Sequence, residues 1–230
     1  MKTIGLIGGM SWKSTITYYT LINEVIKEKL GGFHSAKCIL YSVDFHEIEE
    51  CQVRGNWEQS GEILADAALH LEMAGADFIV ICTNTMHKVI DIIQQRITIP
   101  ILHIAEATAT ELVSSNIKRV ALLGTKYTMQ QDFYKSKLME ADLKVMIPEE
   151  NDSDLINTTI YDELCLGIIS KKSKDEFLRI IHSMAHSGAE GIILGCTEIG
   201  LLVEQQDTSI PLFDTTLIHA TKAALFAIEG

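Results

Sequence analysis

Three short stretches carry the side chains that could do chemistry: Gly8–Gly9–Met10–Ser11, Cys82–Thr83–Asn84–Thr85–Met86–His87 and Gly195–Cys196–Thr197–Glu198. Each follows an apolar, β-branched run and precedes a helical pattern, as do Gly124–Thr125 and Asp214–Thr215. Backbone N–H groups at the start of a helix, with its dipole, hold an anion well, so such loops suit a small carboxylate. A thiol adds proton transfer, because its free pKa of about 8.5 can be lowered at a helix N-terminus until thiolate is available. The same residues have plainer readings. Gly8–Gly9 could be a strand–helix turn, since G-x-x-G-G is not the dinucleotide fingerprint. Asn84 and Thr85 could cap the helix that begins near His87, a role compatible with binding. His87 could tune the site or fill the core, and Glu198 could be a base partner or a charge suited to a helix N-terminus.

The elements that must position these loops alternate along the chain. Ile4–Ile7, Ala36–Ser42, Phe78–Ile81, Ile101–His103, Val120–Leu123, Lys144–Ile147, Gly191–Leu194 and Leu212–Phe213 read as strands. Between them run amphipathic patterns, among them Thr15–Lys29, Asn56–Met73, Ile104–Val113, Met129–Ala141, Asp154–Leu166 and Lys174–His186. Alternation of this kind predicts an α/β fold with mainly parallel sheets, whose ligands bind beyond the carboxyl ends of the strands.

The chain also repeats itself. GADFIVICT from Gly75 matches GAEGIILGC from Gly188 at an offset of 113, TIGLIG from Thr3 matches RVALLG from Arg119 at 116, and IPILHIAEATA from Ile99 matches IPLFDTTLIHA from Ile210 at 111. Three matches in one order at nearly one offset predict two similar α/β halves. The repeat superposes Thr83 on Cys196 and Cys82 on Gly195. Two proton-transfer groups approaching a molecule from opposite sides are what inversion at a carbon needs: one removes the proton and the other returns it to the opposite face.

Composition narrows the partners. A formal charge of −12 argues against nucleic acid, which needs a basic face, but not against a small acidic ligand. The longest apolar runs, such as Phe78–Cys82, fall far short of a membrane span, and the start lacks a signal-peptide pattern, so a cytoplasmic protein is expected. Five scattered cysteines with no C-x-x-C pair argue against zinc ribbons and disulfide frameworks. Cys38, Cys51 and Cys165 read as buried small apolar residues, and His182 and His186 as a surface pair rather than a metal site.

Taken together, GLIGGM, CTNTMH and GCTE, spread over essentially the whole length, resemble the cofactor-independent aspartate/glutamate racemase superfamily, and within it the aspartate racemase branch. The resemblance implies two pseudo-symmetric three-layer α/β/α domains with the active site in the cleft between them. The first would comprise residues 1–98 plus 210–230 and carry Thr83, and the second residues 99–209 and Cys196. It implies a racemase with no pyridoxal phosphate and no metal, an amino-acid substrate and a homodimer. It further implies that the second cysteine handles the α-proton of the L-enantiomer and the first that of the D-enantiomer.

Two departures are informative. Aligning on N-T-x-H puts Thr83, not a cysteine, at the first catalytic position, while Cys82, one residue early, is expected to point into its own domain. Cys196 then becomes the main acid/base and Thr83 a weak one. Aspartate-specific relatives also use two basic residues toward the substrate side chain, whereas VDFHEIEECQVRG and YDELCLG here are acidic, with only Arg54 near. Gln52 is therefore assigned to the substrate side chain, Asn84, Thr85 and Thr197 to the α-carboxylate or α-amino group, and Met10 to the pocket lining. The substrate is aspartate, glutamate or a broader range. A decarboxylase or maleate-type isomerase of the same superfamily, and a non-catalytic amino-acid-binding protein, stand as alternatives.

Overall fold

A computed structural model describes residues 1–229, and in it each of the β-branched runs above contains a strand. In chain order the elements are β1 (Ile4–Gly8), α1 (Trp12–Leu30), β2 (Cys38–Ser42), α2 (Phe45–Val53), α3 (Trp57–Met73), β3 (Phe78–Ile81), α4 (Ile90–Gln94), β4 (Ile101–Leu102) and α5 (Ile104–Ser114). There follow β5 (Arg119–Gly124), α6 (Lys126–Gln130), α7 (Asp132–Met139), β6 (Lys144–Met146), α8 (Glu150–Asp162), α9 (Lys171–His186), β7 (Gly191–Gly195), β8 (Leu212–Asp214) and α10 (Thr215–Glu229). One expected helix is divided: extended backbone at Gln131 ends α6 and starts α7. Another ends early, α8 giving way to a single 3-10 turn, Leu164–Leu166, closed by left-handed Gly167.

Every strand pairing is parallel, in the orders β2-β1-β3-β4 and β6-β5-β7-β8. The second order is the first with each strand replaced by the fourth after it, as an internal repeat requires. The chain divides into two compact units, Met1–Ile104 with the chain from His219 onward, and Ala105–Ile218. These limits correct the expected boundaries at 98/99 and 209/210. Hydrogen bonding of β4 to β3 keeps residues 101–102 in the first sheet, and pairing of β8 with β7 keeps 212–214 in the second. The chain therefore changes unit inside α5 and inside α10, not in the loops ahead of Pro100 and Pro211.

In the first unit the two-residue period of the strands sorts side chains to opposite faces. Ile7, Ile79 and Ile81 join Leu64, Leu71 and Ile93 of α3 and α4 in one core cluster. Ile4, Leu6, Phe78, Val80 and Cys82 join Tyr18, Ile22 and Ile26 of α1 and Ala220, Ala223, Ala224 and Ala227 of α10 in another. Burial on both faces is why these strands read as continuous apolar runs rather than alternating ones. In the second unit β7 is buried throughout and β5 along all but Arg119. The apolar stripe Phe177, Ile180, Ile181 and Met184 of α9 is buried, and Tyr134 of α7 donates to Thr108 of α5 at 3.2 Å. Among the described residues no helix is long and apolar enough to cross a membrane.

Candidate active site

The first unit presents its candidate residues after β1 and β3 and on α2. Gly9 has φ of +96°, and a Cβ there would run into the backbone carbonyl oxygen of Val43, so the turn after β1 admits only glycine. The Gly9 N–H donates to Thr15 Oγ1 at 2.8 Å, and Ser11 caps α1 by accepting from the Ser14 N–H. The Gly8–Ser11 stretch is thus a strand–helix turn, which leaves Met10 buried in the same core cluster as Ile48 and Met86. Gln52 is buried on α2, with its Nε2 donating to Met86 Sδ at 3.2 Å.

After β3, consecutive residues part company. Cys82 lies on the face packed by α1 and α10, its Sγ 3.9 Å from the Val80 carbonyl oxygen, and burial pushes its thiol far above the ordinary range. Thr83 keeps partial exposure; its N–H donates to the Ile81 carbonyl at 2.8 Å, and its own carbonyl accepts from His87 Nδ1 at 2.9 Å. Asn84 and Thr85 are buried at the start of a 3-10 turn, Thr85–Val89. Asn84 already has helical backbone and makes no capping bond through its side chain, so the capping reading fails for it.

In the second unit β5 and β7 approach closely at their ends, where a Cβ on Gly195 would meet both Leu122 Cδ1 and the Leu123 carbonyl oxygen at 2.8 Å. This contact sets the path on which Cys196 follows. Cys196 Sγ donates to Glu198 Oε2 at 3.1 Å, and Thr197 Oγ1 donates to the same oxygen at 2.6 Å. Glu198 is 3% exposed, so its carboxylate is held chiefly by its neighbours rather than by water. Of the two roles its sequence position allows, the structure gives it the one beside the thiol.

The thiol's acidity corrects the expectation. Burial pushes Cys196 well above the ordinary thiol range, with the Glu198 charge and Cys165 adding to the rise. Only a one-turn 3-10 helix, Ile199–Leu201, follows, too short to supply the dipole that would lower it. Cys165, on the turn after α8, is also corrected. Like Cys38 it keeps partial exposure rather than the full burial expected, yet partial desolvation and the Glu198 charge push its thiol up to about 12. No local pattern marks it, because 30 residues lie between it and Cys196.

The remaining loops serve as braces. Thr125 caps α6 by accepting from the Thr128 N–H at 3.3 Å, the counterpart of Ser11 in the first unit. Asp214 Oδ1 caps α10 by accepting from the Thr216 and Leu217 N–H groups at 2.8 and 3.2 Å, while a Cβ on Gly200 would run into its other oxygen. Arg54 is exposed and pairs with Glu50 at 3.3 Å. His186 Nδ1 donates to the His182 carbonyl on the surface of α9. Among the described residues no group of three His, Cys, Asp or Glu side chains could hold a metal ion.

Comparison with known proteins gives a consistent picture. The family model described as Asp/Glu/Hydantoin racemase matches residues 7–223. A crystal structure from Yersinia pestis, provisionally described as an Asp/Glu racemase, is 53% identical with a TM-score of 0.93, covering 99% of this chain and 100% of that one. An aspartate racemase homologue from Pyrococcus horikoshii OT3 is 38% identical with a TM-score of 0.86, again over 99% and 100% of the two chains. The broad specificity amino-acid racemase RacX of Bacillus subtilis strain 168 is 23% identical over 236 residues, 99% of this chain and 100% of its own.

Proposed function

The chain belongs to the Asp/Glu/Hydantoin racemase family, in its aspartate racemase branch, and is an isomerase of the racemase type; from that premise we propose that Cys196 is its main acid/base and Thr83 a weaker opposite number. The observation that carries this reading is the Cys196 thiol hydrogen-bonded to buried Glu198. Glu198 takes the thiol proton when a substrate ammonium approaches the sulfur, so that the negative charge passes from the carboxylate to Sγ. The thiolate so formed is a strong base, because the burial that raises its pKa also raises its proton affinity. It removes the α-proton of the L-amino acid: the Cα–H bond breaks, its electron pair stays on the α-carbon, and the proton passes to Sγ.

Return of a proton from the opposite face falls to Thr83, through its hydroxyl or a water relayed by it. A hydroxyl is a far poorer acid and base than a thiol, so this half of the reaction is slow. The enantiomers have equal free energy in water, so kcat/KM must be equal in the two directions. What can differ is exchange without inversion: deuterium from the solvent enters the L-amino acid faster than the D-amino acid. Equal rates of entry would sink the assignment. Thr83→Cys is expected to raise inversion, read by chiral chromatography, more than it raises exchange from the L side.

The same residues shape the choice of substrate. Asn84, Thr85 and Thr197 take the α-carboxylate and α-amino groups, Met10 lines the pocket, and Gln52 faces the substrate side chain. Sulfur is a weak acceptor, so a substrate oxygen replaces Met86 as partner of the Gln52 amide at little cost. A neutral amide in place of a cation supports substrates beyond aspartate and glutamate, in keeping with the name of the Bacillus subtilis relative. Gln52→Arg should narrow the range toward acidic amino acids, and an unchanged range would exclude Gln52 from that role.

A further inference from the structure

The first unit holds a histidine cluster that the proposed chemistry does not use. His87, His103 and His219 are 1%, 6% and 0% exposed. The His87 ring centroid lies 4.8 Å from that of His103 and 5.7 Å from that of His219. The hydrogen bonds fix the tautomers of two of them. His87 Nδ1 faces the Thr83 carbonyl at 2.9 Å and must carry the proton, while its Nε2 accepts the Ile104 N–H at 3.2 Å. His219 Nε2 faces the Leu102 carbonyl at 2.9 Å and must carry the proton, so its Nδ1 accepts the Tyr18 hydroxyl at 2.8 Å.

These partners occupy particular places in the chain. Thr83 bears the weaker catalytic group of the proposed reaction. Ile104 is the last residue of the first unit before the chain enters the second, and His219 is the first residue after it returns. Two neutral imidazoles therefore tie the Thr83 loop, the end of β4 and both crossing points into one hydrogen-bonded assembly within the first unit.

We infer that His87 and His219 are positioning residues, held as opposite neutral tautomers, that fix the Thr83 carbonyl and the first unit's two exit points relative to one another. A second proton on His87 would turn Nε2 from an acceptor into a donor aimed at the Ile104 N–H, and would break that tie. The titratable groups facing His87 are His103, at the end of β4, and His219, on α10; Tyr18, on α1, faces His219. Burial, together with the charge a neighbouring imidazole would carry, holds His87 and His219 down to about 3, so the assembly persists through the physiological range.

The inference rests on the racemase reading for its consequence at Thr83 but not for its structural core, and the test separates the two. Nitrogen-15 NMR of the histidine rings in the intact, substrate-free protein should show His87 protonated only at Nδ1 and His219 only at Nε2, with no titration between pH 7 and 5. Titration of either ring in that range, or the opposite tautomers, would overturn the inference. His87→Asn keeps a donor near Nδ1 and loses the acceptor for Ile104; His87→Gln does the reverse. His87→Asn should lower protection of the Ile104 amide from hydrogen exchange about tenfold, the equivalent of one net hydrogen bond, while His87→Gln restores it. Equal protection in both variants would also overturn it. If the wild type then exchanges amino-acid α-protons, His87→Gln should lower the ratio of inversion to exchange with KM little changed. If it exchanges none, the racemase reading fails while the tautomers and the amide protection still decide this inference.

Discussion

Two effects compete at Cys196. Burial and the Glu198 carboxylate disfavour the thiolate, while the hydrogen bond from Sγ to Glu198 Oε2 provides the route by which the proton leaves. Glu198→Gln separates them. Removing the negative charge lowers the thiol pKa, so alkylation of Cys196 by iodoacetamide at pH 8 should quicken, while α-proton exchange should fall by about 10²–10⁴-fold for want of the base. Slower alkylation, or unchanged exchange, would assign Glu198 a packing role. At this scale the sequence was half legible. The repeat superposes Thr83 on Cys196 in the sequence, and strand alternation separated Cys82, packed in its own core, from Thr83. The role of Glu198 was ambiguous, because a carboxylate two residues past a strand end can turn to a helix N-terminus or to a thiol. Cys165 was invisible, because only the packing of the turn after α8 brings it into the field of Glu198.

The strand-end turns impose the firmest constraints among the elements. Gly9→Ala places a side chain at φ of +96° and into the Val43 carbonyl, which should cost about 2–4 kcal/mol and be read as a lowered thermal midpoint. Gly200→Ala drives a Cβ into the Asp214 carboxylate and loosens the cap of α10, so it should also lower the midpoint. A midpoint equal to the wild type's in either variant would refute the close approach. Strands β1, β3, β5 and β7 could be placed from their apolar runs, because they are buried along nearly their whole length. The ownership of β4 and β8 was not legible. Strands of two and three residues carry no pairing preference, and only the ladder shows which sheet takes them.

For the whole molecule, the buried histidines make stability depend on pH. His87 and His219 sit near 3 when folded, against about 6.5 in the unfolded chain. Between those values the unfolded chain binds more protons, so this contribution is complete above pH 6.5 and is lost as pH falls toward 3. The slope is about 1.4 kcal/mol per pH unit for each histidine. Urea midpoints measured between pH 6.5 and 5, above the main carboxylate range, should fall steadily, and His219→Phe should flatten the slope. A midpoint independent of pH over that interval would mean that these imidazoles are not held neutral.

The central claim, acid/base chemistry at an α-carbon through Cys196, is tested most directly by proton NMR in D2O. The wild type and Cys196→Ala, without added pyridoxal phosphate, would each be incubated with L- and D-forms of aspartate, glutamate and several neutral amino acids. The account predicts loss of the α-proton signal, faster from the L-enantiomer and absent in Cys196→Ala, with no net consumption of substrate. Unchanged α-proton signals for every amino acid, or loss that persists in Cys196→Ala, would contradict it.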